Sequence, residues 1–212
     1  MNVEESTRAP KRPTWFFILW AVFSLFLLAG IVYLAWSLLN PYSFHGVVMQ
    51  SPQKARDFTL TGHNGQPVSL KDYSGKIILI YFGYTTCPDV CPTTLADLHT
   101  ARESLGQLGD QVQVFMVTVD PERDTQAVLA DYMSHFDSSF IGLTGSPEQI
   151  AEVATYYGIY YERAEGNSTL GYLMDHTATV MAIDQDGYLR LVFPFGTAAQ
   201  DIADDLNYLL ER

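Results

Sequence analysis

Cys87 and Cys91 are the only cysteines in this chain, and both lie in one stretch, Y-F-G-Y-T-T-C-P-D-V-C-P-T-T-L, Tyr81 to Leu95. Two thiols are too few for a structural zinc or iron-sulfur site, which normally takes four protein ligands. They suffice for a reversible disulfide, or for two soft donors to a copper ion. Copper(I) prefers thiolates and tolerates low coordination, whereas copper(II) calls for an added nitrogen.

The sequence holds five histidines that could supply it. His99 lies eight residues beyond Cys91, about 12 Å along a helix, too far to share one ion with both sulfurs. His135 is near the end of another predicted helix, His45 in a linker and His63 in a turn, all places where a histidine is ordinarily structural. His176, in M-D-H-T beside Asp175 at the entrance to a predicted strand, reads either as a ligand or as an ordinary strand-end histidine. Met174 shares its strand parity and offers a thioether, although a buried methionine is more often core. Asp89, between the cysteines, reads as turn chemistry or a weak oxygen ligand. Asp120, Arg123 and Asp124 follow a strand end, where they serve as ion pair and helix cap or as parts of the site.

The elements around the cysteines follow from the local pattern. Ile77 to Phe82 is an apolar run that reads as a buried strand, so the thiols come just past its C-terminal end, a usual place for chemistry in open α/β sheets. Each cysteine precedes a proline, which biases it away from the α region. The spacing therefore predicts Cys91 as a cap and Pro92 as the first helical residue, with Leu95, Leu98, Ala101 and Leu105 on the buried face. Free amides at that helix start would face the sulfurs and favour thiolate.

The 212 residues, 48% hydrophobic and 17% charged with a formal net charge of -12, suit one ordinary domain plus a membrane segment. Trp15 to Leu39 is free of charge and would be about 37 Å long as a helix, against a hydrocarbon core of roughly 30 Å. It exceeds a signal-peptide core and reads as an anchor. Arg8, Lys11 and Arg12 precede it, and the next basic residue is Lys54. That asymmetry predicts residues 1–14 as a cytoplasmic tail, 15–39 as the anchor in a bacterial inner (plasma) membrane, and a periplasmic C-terminal domain in an oxidising compartment. A mitochondrial origin fits less well, because Glu4 and Glu5 make the tail a poor transit peptide. Beyond the anchor, 9 basic residues face 22 acidic ones, which excludes nucleic acid as a natural partner.

Residues 40–55 read as a tether and 56–212 as the folded domain. Asp57 to Tyr73 reads as a hairpin, Gln111 to Val119 as a second buried strand, and Asp124 or Thr125 as the cap of a helix over Ala127 to Phe136. A short strand at Phe140 to Leu143 precedes a helix opened by S-P-E-Q at Ser146. Tyr160 to Thr177 resembles two ragged strands, Ala178 to Ile183 and Tyr188 to Phe193 a hairpin, and Thr197 to Leu210 a final helix. Strands alternating with helices, followed by a hairpin and a helix, give a three-layer α/β domain. N-S-T at Asn167 matches a glycosylation acceptor, a weak pattern.

Three motifs taken together resemble a known family. F-G-Y-T-x-C-P-x-x-C-P from Phe82 to Pro92, D-P-x-R-D-T from Asp120 to Thr125, and D-H-T from Asp175 to Thr177 are similar to the Sco/SenC family, named for synthesis of cytochrome c oxidase. The resemblance covers about Arg56 to Arg212 and the single anchor. It implies a thioredoxin-like fold and one copper, Cu(I) or Cu(II), held by Cys87, Cys91 and His176. It also implies a chaperone role toward the CuA centre on subunit II of cytochrome c oxidase, by copper delivery or by reduction of that centre's cysteines, with a periplasmic copper donor or thiol reductant upstream. The segment before His176 would correspond to a loop that moves as metal binds. One departure is the A-R-D-F entry at Ala55 to Phe58, where the family commonly has a G-G-P-F type.

Two other classes stay open on sequence grounds. A membrane-tethered thiol-disulfide oxidoreductase would use Cys87 and Cys91 as its catalytic redox pair. Thioredoxin-like reductases usually show W-C-x-x-C, whereas Thr86 precedes Cys87 here and the loop is one residue longer. A plain structural clip is the third class, disfavoured by a proline-rich loop that points to an accessible site. The sequence does not place His176 relative to the sulfurs.

Overall fold

The structure, a computed structural model, describes residues 14–39, 42–168 and 171–211. The basic residues of the tail and Thr169 of the N-S-T triplet lie outside the described residues. Residues 1–43 and 44–212 form two separate units.

In the first unit, Thr14–Leu39 is one helix, α1. It is apolar around its whole circumference, and from Trp15 to Trp36 its side chains are largely exposed among the described residues. A helix apolar on every side needs an apolar solvent, so α1 is a candidate membrane span.

The second unit is built on an eight-stranded sheet in the order β1-β10-β9-β4-β5-β6-β2-β3. Its centre is β4 (Ile77–Gly83) and β5 (Val112–Thr118), paired in parallel and buried at every residue. Helices α2 (Val90–Ser104) and α3 (Gln126–Ser134) connect β4 to β5 and β5 to β6 (Ile141–Thr144). Such crossovers cover both faces, and this is why β4 reads as a continuous apolar run and not as an alternation. Successive side chains go to opposite faces: Tyr81 reaches back toward Cys91 of α2, while Phe82 meets Tyr157, which caps α4 (Pro147–Tyr156). On the α2 side packs the C-terminal helix α5 (Ala199–Leu210), and on the other side α3 lays Leu129 and Met133 over Gly142 of β6. The result is the three-layer α/β arrangement.

The hairpin β2 (Thr59–Gly62) and β3 (Pro67–Ser69) closes one edge. The other edge differs from the sequence expectation. Part of the stretch read as a tether is in the sheet: β1 (Val47–Val48) pairs with β10 (Leu189–Pro194), and Lys54 bridges Tyr188. Buried Asp205 of α5 accepts the amides of His45 (3.1 and 3.0 Å) and Gly46 (2.8 Å). Two apolar residues are too short a run to show a strand period, and the carboxylate that holds the residues just before them is 160 positions from His45.

β9 (Thr179–Ile183) joins β10 to β4. Just before it, β7 (Tyr161–Ser168) and β8 (Gly171–His176) form a two-stranded sheet of their own, with no ladder to the main sheet.

Candidate functional site

The C-terminal ends of β4 and β5 open onto the cysteine turn. Helix α2 begins at Val90, so Cys91 and Pro92 stand inside its first turn, with Asp89 at the N-cap position. This corrects the expectation that Cys91 caps the helix. First-turn amides have no intrahelical acceptor, so a proline there costs nothing and the bias it places on Cys91 is overridden. One such amide does meet a sulfur: Cys91 N donates to Cys87 Sγ at 3.4 Å.

Cys87 is half-buried and Cys91 fully buried, and both are free thiols. His176 reaches them from the end of β8, with Nε2 3.5 Å from Cys91 Sγ. Its Nδ1 lies 3.3 Å from the Thr177 carbonyl oxygen. The ring thus turns Nε2 toward the sulfurs, where it can accept from a thiol or, when protonated, donate to a thiolate. The ring is held edge-on by Tyr84 (5.8 Å between centroids) and Tyr81 (6.1 Å).

The two sulfurs are electronically unequal. The Cys87 thiol is pulled well below the ordinary range, chiefly by a hydrogen bond from Cys91, against the effect of burial, with His176 and the Asp89 and Cys91 backbone adding to it. The Cys91 thiol is pushed up by that same bond and by burial. The two shifts run in opposite directions, so the more exposed Cys87 sulfur gives up its proton more readily than the deeper Cys91.

Of the other sequence candidates, Met174 packs half-buried against the core, and Asp89 is exposed. His99 is engaged by Asp137 and Glu103 at 3.3 and 3.4 Å. His63 accepts the Gly142 amide at 3.1 Å, His45 faces Asp201 at 3.5 Å, and His135 ends α3. Only Cys87, Cys91 and His176 come together. No three His, Cys, Asp or Glu side chains among the described residues are already arranged to hold an ion, so this trio is a set of neighbours and not a closed ligand sphere.

The D-P-E-R-D-T turn does two jobs. Thr125 caps α3, accepting from Val128 N at 3.3 Å. Asp124, the other sequence candidate for that cap, is fully buried instead. It accepts from Thr85 N (3.1 Å), Thr85 Oγ1 (2.6 Å) and Thr118 Oγ1 (2.5 Å), tying the cysteine turn to the end of β5. Asp120 pairs with Arg123 and accepts the Tyr172 hydroxyl at 2.7 Å.

Sequence reasoning missed Tyr81, Gly83, Tyr84, Thr85 and Tyr172. The signal for Gly83 was its place at the end of a bulky strand. A Cβ there would lie 2.6 Å from Tyr81 Cε1 and 3.1 Å from Cys91 Sγ. Gly83→Ala is expected to lower stability by roughly 1–3 kcal/mol, the usual cost of overpacking, because the Tyr81 ring is buried and has nowhere to go. Thermal unfolding would show it, and an unchanged melting temperature would refute the close packing.

The family model described as SCO1/SenC matches residues 48–211. The chain is a member of the SCO1/SenC family. Among its relatives, the SCO2-like protein of Rickettsia felis is 34% identical over 191 residues, which cover 88% of this chain and 93% of that protein. The mitochondrial SCO2 homolog of Bos taurus is 37% identical over 153 residues, 71% of this chain and 58% of the bovine protein, so the chain spans little more than half of that longer relative. Among solved structures, Bradyrhizobium japonicum ScoI with copper bound is 39% identical with a TM-score of 0.68, over 74% of this chain and 100% of that one.

Proposed function

We propose that the domain binds one copper ion through Cys87, Cys91 and His176 and carries it to the CuA site of cytochrome c oxidase subunit II. The observation that carries this reading is the 3.5 Å contact of Cys91 Sγ with His176 Nε2. Metal–sulfur and metal–nitrogen bonds of about 2.3 and 2.0 Å, at tetrahedral to trigonal angles, set ligand atoms about 3.5–3.7 Å apart. That pair already stands at ligand spacing, beside a second sulfur whose thiol is pulled below its ordinary range. Two soft thiolates and an imidazole suit copper in either oxidation state, and the Bradyrhizobium relative holds copper.

In this reading the anchor α1, preceded by Arg8, Lys11 and Arg12, puts the domain on the periplasmic side of a bacterial inner membrane. A periplasmic donor supplies the metal. The same thiols give a second reading, as a reductant of the CuA-site cysteines, favoured by two free thiols of which Cys87 is pulled below its ordinary range. The deprotonated Cys87 sulfur attacks the target disulfide and Cys91 resolves the mixed disulfide, leaving Cys87 and Cys91 oxidised and the target as two thiols.

The test uses the full-length protein in detergent, reduced and free of oxygen; a fragment starting at Ser51 would lose β1 and with it one edge of the sheet. One copper per chain is expected. His176→Ala is expected to weaken its binding by about 100-fold, the upper end of what even outer-shell changes cost, and to leave Cys87 and Cys91 able to form a disulfide. A wild type that retains no copper yet reduces a disulfide substrate would replace the carrier with the reductase.

A further inference from the structure

Among the described residues, no backbone ladder ties the hairpin that ends in His176 to the main sheet, so its position depends on side chains. Tyr172, Met174 and His176 share one parity along β8 and therefore one face. On that face Met174 packs against the core and His176 meets Cys91.

Tyr172 is gripped at three points. Its hydroxyl donates to Asp120 Oδ1 at 2.7 Å, its carbonyl accepts from Arg123 Nη1 at 2.9 Å, and its ring lies under the Arg123 guanidinium at 3.7 Å. Arg163 of β7 covers the ring's opposite face at 3.6 Å. Asp120 is buried and pairs with Arg123, so the anchor point on the body is itself rigid. Arg123 also lies over the Tyr84 ring at 6.0 Å, and that ring meets the His176 imidazole edge-on. In a domain with only 9 basic residues, two on one exposed-edge tyrosine mark a built contact, since cation–π pairs gain most where the ring is fixed.

We propose that Asp120, Arg123 and Tyr172 form a latch that holds the β7–β8 hairpin against the cysteine turn and so sets the distance between His176 and the two sulfurs. These are positioning residues; none touches the sulfurs. The inference rests on the reading of His176 as a copper ligand, and it assigns the placing of that ligand to residues that touch neither sulfur. A hairpin held by hydrogen bonds and stacked rings opens at lower cost than a strand in the central sheet.

Tyr172→Phe in the full-length protein is the first test, because it removes one hydroxyl at a half-exposed residue and keeps the stacked ring. Two readouts are needed. In the copper-free protein, the His176 ring-proton resonances, shifted by the Tyr81 and Tyr84 rings, are expected to move toward ordinary values, with the melting temperature nearly unchanged. With copper(II) added, affinity is expected to fall roughly ten-fold, the scale of outer-shell effects on a ligating histidine, and the nitrogen hyperfine signal to weaken. Arg123→Gln is expected to do more of the same. Cys87 and Cys91 are expected to remain able to form their disulfide.

In a His176→Ala background, Tyr172→Phe is expected to cost no further affinity, because a latch that acts only through His176 has nothing left to hold. An equal loss in both backgrounds, or unmoved His176 resonances, would overturn the latch. A wild type that binds no copper would sink the carrier reading and still leave the latch to be decided by the resonances.

Discussion

Cys91→Ser is expected to abolish both copper retention and disulfide formation, the largest functional effect in the molecule. Cys91 is the fully buried sulfur, packed between Tyr81, Gly83 and His176. It also donates the hydrogen bond that lowers the Cys87 thiol. Serine keeps a donor of similar shape, so the fold should survive, but a hard hydroxyl oxygen is a poor ligand for copper(I) and cannot form a disulfide. The loss of affinity is expected to exceed that of His176→Ala, beyond about 100-fold, the top of the outer-shell range, by competition with a copper(I) chelator. Cys87→Ser is expected to match it. Retention of copper by either variant with wild-type affinity would remove the sulfurs from the site.

Asp124→Ala is expected to give the largest loss of stability. The carboxylate is fully buried and accepts three hydrogen bonds, two from Thr85 and one from Thr118. Thr118 Oγ1 in turn accepts from Asp120 N at 2.9 Å, so the latch and the cysteine turn share this one acceptor. Burial raises the Asp124 pKa, and the bonds from Thr118 and Thr85 act against that rise. Alanine strands a buried amide and two hydroxyls, at roughly 2–4 kcal/mol once the hydroxyls rotate to other acceptors. Urea unfolding would measure it. Thr85 is two residues from Cys87, so the variant is also expected to loosen the turn and weaken copper binding. Thr85→Val should cost less, and the two changes together less than their sum. Additive costs would mean that the residues act separately.

The architecture was largely legible because its signals are local. A seven-residue apolar strand, capped amphipathic helices and a long uncharged N-terminal run each announce themselves within a window of their own length. Residue chemistry singled out the two cysteines, and the family resemblance, rather than spacing, added His176 to them before any geometry was known. The register of short pieces was less visible: Val47–Val48 became an edge strand through a carboxylate near the C-terminus, and the start of α2 moved two residues back because first-turn amides do not enforce proline's preference.

By itself, the sequence determined most of the elements, an apolar helix long enough to span a membrane, and where its few thiols and imidazoles lie along the chain, since residue type and spacing are local properties. Only the tertiary structure decided that Nε2 of His176 meets Cys91 across 85 residues, that Asp124 leaves the cap position to bind the cysteine turn, and that Tyr172 ties the histidine's hairpin to Asp120 and Arg123. Those contacts join residues far apart in sequence, and their geometry exists only once packing has fixed the strands that carry them.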